Sequence, residues 1–409
     1  MKSLLYSAAI GMVAMIPAVV SASPLSLEQG LELAVQRSQA VVAARSGALA
    51  STQTARAAGQ LPDPMLSVGI ENLPVTGPDR MRTTAESMTM KRVGISQEWV
   101  SAEKRALRQA SALAMAERES ASALAAAADS RLQAALAFVD AFYASEALVL
   151  TKLNERYALE DFEAAKARFA SAGASGQELL QLTAARGVAG DDSAEVEQLH
   201  ASALAALQRW VGVRPEGLER PALPASMSEP AFVAAHPAVW QSQRDIDLAR
   251  AEAASMASNR SPNWTWQAAY GQRTGYSDLV SVGVNIPLPI APGERQDRET
   301  AAKLALVDKA LAAHDESTRM AVAEFRTLTS DGQRLSQRIV QYQTGVISPV
   351  KQRVQAALAG YRSNQVPLMA LFEARYAEVQ AQRKLLGMQR DLAKVQAQLA
   401  FKPVSGGVQ

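Results

Sequence analysis

The sequence predicts a mainly α chain with a membrane β-barrel part, each protomer giving four β-strands and long coiled-coil helices in two structural repeats. Three observations predict it. Residues 61–99 hold two short alternating segments, Met65-Leu-Ser-Val-Gly-Ile-Glu-Asn-Leu73 and Met88-Thr-Met-Lys-Arg-Val-Gly-Ile-Ser-Gln-Glu-Trp99, set between helical tracts. Residues 262–288 repeat the arrangement with Asn263-Trp-Thr-Trp-Gln-Ala-Ala-Tyr270 and Leu279-Val-Ser-Val-Gly-Val-Asn-Ile286. Between Gly94 and Gly173 there is neither Gly nor Pro, so one uninterrupted helix follows the first pair of segments.

The strand segments have a two-residue side-chain period: Leu66, Val68 and Ile70 oppose Ser67, Gly69 and Glu71, and Val280, Val282, Val284 and Ile286 oppose Ser281, Gly283 and Asn285. Each is close to the roughly 9 to 11 residues that a tilted strand needs to cross a bilayer, with an apolar face against one of small and polar residues. Ser101 to Ala172, rich in Ala, Leu, Glu, Arg and Gln, predicts a helix of roughly 70 residues, about 105 Å long. Along it Leu132, Leu136, Val139, Tyr143, Ala147, Leu150, Leu153 and Tyr157 recur at three- and four-residue steps, an apolar seam of coiled-coil type.

Such a helix needs long neighbours. The tracts from Ser26 to Gln60 and from Gln177 to Val211 together match its length, and the second half repeats the sum with Glu229 to Arg260 plus Pro367 to Ala400 against one helix from Glu294 to Tyr361. The chain therefore divides into a signal peptide (1–22), a first repeat (23–213, strand hairpin 65–99), a proline-rich connector at mid-height (214–230), a second repeat (231–401, strand hairpin 263–288) and a tail (402–409). Pro74 to Ser87 and Arg273 to Asp278 become outer loops. The helical turns, around 168–180 and 359–369, lie at the end farthest from the strands.

Composition excludes several classes. With 42 basic and 40 acidic residues the net charge is +2, which indicates no nucleic-acid footprint. Cys is absent, which removes disulfides, thiol catalysis and thiolate metal sites. Lys2, the apolar run Leu4 to Val20 and the small residues Val20-Ser21-Ala22 read as a secretory signal cleaved after Ala22, the alternative being an uncleaved anchor. No run of about 18 apolar residues follows, so no transmembrane helix is expected.

Four strands cannot close on themselves, and an open edge in lipid leaves backbone groups unpaired at several kcal/mol each. Three copies give twelve strands and a water-filled lumen. Trp99, Trp264, Trp266 and Tyr270 sit in or at the ends of the strands, where aromatic girdles meet headgroups; the alternative is a soluble core.

At this point the residues resemble a family. The signal peptide, the duplicated hairpin-and-helix organisation, the entry into the first strand through Gln60-Leu-Pro-Asp-Pro-Met-Leu-Ser-Val-Gly69 and the paired helical turns are similar to the outer-membrane efflux proteins of the TolC family. Leu61-Pro-Asp-Pro64 and Glu71-Asn-Leu-Pro74 resemble the branch serving cobalt-zinc-cadmium and copper-silver exporters. The resemblance implies a TolC-like homotrimer without catalytic activity or cofactor. It would be the outer-membrane duct of a tripartite pump, partnered by a periplasmic adaptor and an inner-membrane RND-type transporter.

It also implies sites. Ala172, Gly173, Ala174, Ser175 and Gly176 in one turn and Ser363, Asn364, Gln365 and Val366 in the other would meet the adaptor, unless they are turn chemistry alone. Glu373 falls where the family places a luminal acid at the distal constriction, whereas Ala370 stands where a second acid is found; the alternative for Glu373 is a solvated helix face. No metal site is expected. His200, His236 and His314 form no ligand pair, only His314 adjoins acids (Asp315, Glu316), and Met65, Met81, Met88 and Met90 read first as packing. Asp191-Asp192 reads as surface charge. Two other classes compete: a periplasmic adaptor or scaffold, which would show one helical hairpin flanked by compact β domains, and an exported enzyme, for which no catalytic motif appears. Within the leading class the cargo is metal cations, drugs or an exported protein.

Overall fold

The computed structural model describes residues 24–171, 173, 175–225 and 227–404. The expected signal peptide, Ala172 and Ala174 of the first turn, and residues 405–409 of the tail lie outside the described residues.

Helix α1 (Leu27–Arg37) begins in a capping box: Ser26 Oγ accepts the Gln29 N–H at 3.3 Å while Gln29 Oε1 accepts the Ser26 N–H at 3.2 Å. The tract expected to run unbroken to Gln60 stops at Ser38, whose backbone is extended (φ −65°, ψ 111°) and whose hydroxyl caps α2 (Gln39–Ala58) through the Val41 N–H. Ser130 of the long helix donates to that same hydroxyl at 2.9 Å, so the break is fixed by a partner 92 residues away. Helix α3 (Ala102–Ala170) is the predicted long helix, 69 residues capped by Ser101. Helix α4 (Gly176–Val211) ends at Gly212, which takes the left-handed φ of +81° that glycine tolerates without strain.

In the second repeat the tract from Glu229 is likewise divided, into α5 (Glu229–Ala234) and α6 (Pro237–Ala257). Pro237 excludes helical backbone at His236, and a short 3₁₀ turn, Ser258–Arg260, follows α6. Pro349 interrupts the helix expected over Glu294 to Tyr361. Helix α7 (Gln296–Tyr342) passes through a π turn, Gln343–Ile347, before α8 (Ser348–Arg362). The wider turn accommodates a proline that lacks an N–H and whose ring crowds the carbonyl four residues back. Helix α9 (Leu368–Phe401) returns to mid-height.

The strands β1 (Met65–Glu71), β2 (Met90–Trp99), β3 (Trp264–Gln272) and β4 (Leu279–Asn285) form one antiparallel sheet in chain order. The two hairpins are thus joined through β2 and β3, with Trp99 opposite Trp264 and Lys91 opposite Gln272, and β1 and β4 are the edges.

Helix α3 is the hub: α1, α2, α4, α6 and α9 all pack on it. At mid-height Leu27, Leu31 and Ala34 of α1 meet Ala134, Ala135, Phe138 and Ala141 of α3 and Leu204, Leu207 and Val211 of α4. The connector joins here, because Leu25 donates to Gly217 O at 2.9 Å and accepts from the Glu219 N–H at 3.0 Å. A second cluster near the turns packs Ala158, Ala165, Leu182 and Ala185 against Leu368, Leu371 and Phe372. One stretch of α3 is, by composition, apolar enough to cross a bilayer, contrary to the expectation from run length. Its alanines serve close helix packing instead: Ala134, Ala135 and Ala141 are buried against neighbours.

Candidate functional site

The pairing register decides which side chains share a face of the sheet. Leu66, Ile95, Ala268 and Val282 form one row, Val68, Val93, Tyr270 and Val280 the next, and Gln97, Trp266 and Val284 a third. One face is therefore apolar across all four strands, and it is bare: Val68 is 73%, Val280 75% and Val282 79% exposed. The opposite face carries Ser67, Gly94, Ala269 and Ser281 in one row and Gly69, Arg92, Gly271 and Leu279 in the next.

The small face is the crowded one. A Cβ on Gly94 would stand 2.9 Å from Ser67 Oγ and 3.0 Å from Ala269 Cβ, side chains from both neighbouring strands, and one on Gly271 would meet Met90 Sδ at 2.6 Å. Small residues there let the sheet curl with that side concave.

All four predicted aromatics lie on the apolar face. Trp99 and Trp264 pair at the helix end, ring centroids 5.8 Å apart, with Trp266 one row on. Tyr270 stands six residues from Trp264, about 20 Å at a strand's rise. Its hydroxyl donates to Asp278 in the β3–β4 loop, and Asp278 also accepts the Arg273 N–H at 3.1 Å. These two donors hold the Asp278 carboxyl below its usual range.

At the far end the two turns are built differently. In the first, the Gly173 N–H returns to Arg168 O at 2.8 Å, Arg168 donates to Gly173 O at 3.1 Å, and Ser175 caps α4 through Glu178 N–H. In the second, Asn364 takes a left-handed φ of +57°, and Gln365 and Val366 both donate to Gly360 O. A Cβ on Gly360 would stand 3.0 Å from a Val366 methyl. Arg168 lies 5.9 Å above the Tyr361 ring, which ties the turns together. Gly173, Ser175, Gly176, Ser363, Asn364 and Gln365 are exposed and Val366 half-buried.

Glu373 is exposed on α9 with no ion pair among the described residues. Two residues on, Arg375 grips Asp161 of α3 through both carboxylate oxygens at 3.0 and 3.2 Å and lies 4.6 Å over the Tyr157 ring. Burial raises the Asp161 carboxyl and Arg375 opposes it. Sequence reasoning missed this pair, as it missed Lys394 on Asp140 (2.9 Å); partners more than 200 residues apart leave no local signal. Asp192, read as surface charge, accepts from Gln380 at 2.9 Å and faces Arg383 at 3.7 Å, so it links α4 to α9.

The histidines find their partners across helices rather than along the sequence. His314 bonds Ser242 Oγ at 3.0 Å, whereas its neighbour Glu316 is taken by Arg319. His236 is the one paired with an acid: Nε2 lies 3.2 Å from Glu324, Nδ1 accepts the Ala238 N–H, and Lys402 holds the other Glu324 oxygen. Among the described residues no group of three or more His, Asp or Glu side chains is placed to hold a metal.

No family model matches the sequence, and no curated protein does. Solved structures do. The open-state MtrE outer membrane channel of Neisseria gonorrhoeae superposes with a TM-score of 0.77 at 16% identity, over 94% of this chain and 89% of that one. The CmeC outer membrane channel of Campylobacter jejuni gives 0.76 at 15% (92% and 85%), and the outer membrane protein VceC of Vibrio cholerae 0.74 at 15% (92% and 96%). These neighbours are outer-membrane proteins, not enzymes, and across nearly its whole described length this chain has their fold.

Proposed function

We propose that this chain is a TolC-family outer-membrane efflux duct, a non-enzymatic homotrimer that passes heavy-metal cations outward. It is joined through a periplasmic adaptor to an inner-membrane RND-type transporter. The observation that carries the reading is the sheet itself: one largely apolar face, exposed over much of its area and continuous over four strands, with both edges unpaired within the protomer. A bared apolar face suits lipid, and unpaired edges cannot remain open there. Because successive strands alternate in direction, β4 of one copy meets β1 of the next antiparallel, so three copies close a twelve-stranded barrel.

The helices support the same closure. Helix α2 leads into β1 and α7 leaves β4, and both bare apolar side chains, Val42 and Leu49 on the one and Leu304, Leu306 and Leu311 on the other. Neighbouring copies would bury these together. In this assembly Trp99, Trp264, Trp266 and Tyr270 lie at the two bilayer interfaces, the exposed distal turns meet the adaptor, and Glu373 lines the distal constriction. The metal branch is supported by Leu61-Pro-Asp-Pro64 and Glu71-Asn-Leu-Pro74.

Two experiments test this. Outer-membrane extracts run unheated in detergent gels should show trimers that heat dissociates; monomer alone sinks the barrel. Deleting the gene should raise sensitivity to cobalt, zinc, cadmium, copper or silver more than to lipophilic drugs. Drug sensitivity with unchanged metal tolerance would move the chain to the drug-exporting branch.

A further inference from the structure

The strands hold only four charged side chains: Glu71, Lys91, Arg92 and Glu98. Register sorts them. Lys91 lies opposite Ile70 and Gln272, in the rows of the apolar face, whereas Glu71, Arg92 and Glu98 lie on the face of small residues. At the helix end Glu98 is engaged already, accepting from Asn263 Nδ2 at 2.7 Å, and Asn263 Oδ1 accepts from Lys104 at 2.9 Å. Arg92 is the one cation of that face within the strands, and its guanidinium pairs with Glu71.

Both partners stay partly open, Arg92 30% and Glu71 42% exposed. The residues directly opposite Arg92 are Gly69 and Gly271, so its row neighbours put no side chain over it, and the side chain it meets across the strands is Glu71. We propose that Arg92 is a specificity-determining residue of the channel: its charge offsets Glu71 near the outer mouth and keeps the bore open to permeants of either sign. The inference rests on the trimeric-barrel reading, which sets three such pairs at one level. Charge left unpaired on the wall acts over about 8 Å at physiological ionic strength, far enough to bias what passes a lumen of this class. Without Arg92 the three Glu71 carboxylates form an acidic ring; without Glu71 the three guanidinium groups form a basic one.

The absence of Cys makes the test direct. Gly69→Cys places a thiol beside Arg92 in open space, since a Cβ there meets nothing within 4 Å, and Val68→Cys places one on the apolar face. Full-length trimers in lipid vesicles are treated with an anionic and a cationic methanethiosulfonate of similar size. Gly69→Cys should react and Val68→Cys should not. Adding Glu71→Gln should raise the anionic-to-cationic rate ratio at Gly69→Cys roughly threefold, and Arg92→Gln should lower it by a similar factor. The exchange Glu71→Arg with Arg92→Glu should return the ratio near its starting value. Equal ratios in Glu71→Gln and Arg92→Gln overturn the inference while leaving the barrel intact. Equal or reversed reactivity of the two thiols overturns the barrel, and the inference with it.

Discussion

Helices α3 and α7 occupy the same place in their repeats, each leaving a strand hairpin for the distal turn, yet they are buried very differently. Nineteen of the 69 residues of α3 are buried, against three of the 47 in α7. Helix α3 is walled in by five helices of its own chain, whereas α7 is covered by α5, α6 and α9 and keeps a bare flank with Leu304 and Leu311. The two tracts share a pattern but not an environment. One helix is buried within the protomer, and its counterpart keeps an apolar flank bare.

Substitutions can break that contrast. Phe138→Ala removes a 1%-exposed ring from the mid-height core of α3 and should cost about 3–5 kcal/mol, read as a large fall in melting temperature and folded yield. Arg375→Ala strands Asp161, whose side chain is 7% exposed, and should destabilise by about 2–4 kcal/mol. Asp161→Asn with Arg375→Gln should recover much of that loss, because no charge is left buried; no recovery would mean that the pair serves packing alone. Leu311→Asp on α7 should do the opposite of Phe138→Ala: helical content is kept and the heat-dissociable trimer is lost in gels. If monomer stability falls instead, the bare flank is not an interface.

The smallest effect expected is one of pH at the equator. Burial first, with Lys402 adding to it, lowers the His236 pKa below its ordinary 6.5, and the Glu324 hydrogen bond opposes this only in part. The unfolded chain therefore binds that proton more tightly. Stability is complete above about pH 6.5 and declines as pH falls toward the lowered folded value. His236→Gln should flatten this segment of the melting-temperature profile; an unchanged profile would assign the dependence to other groups.

How far the sequence could be read follows from the range of the forces involved. The two-residue alternation of Leu66, Val68 and Ile70, the Gly- and Pro-free stretch behind α3, and the matched tract lengths are local patterns, and they specified strands, helices and repeat order without a structure. The breaks at His236 and the π turn were also written locally, in Pro237 and Pro349, although the tracts were read across them. The break at Ser38 is less so, since Ser130 secures it from another helix. The placement of Trp99, Trp264, Trp266 and Tyr270 on strands and of Ser363 to Val366 at a turn was legible because strands and turns have chemical signatures.

Only the tertiary structure decided the rest. The union of the hairpins through β2 and β3 and the pairings Arg375–Asp161, Lys394–Asp140 and Arg92–Glu71 depend on which elements meet in space. The sequence by itself determined each segment's shape and its apolar side, because periodicity is set by backbone geometry within a few residues. Which side is covered by this chain and which is left bare depends on packing between segments hundreds of residues apart, and only the folded chain settles it.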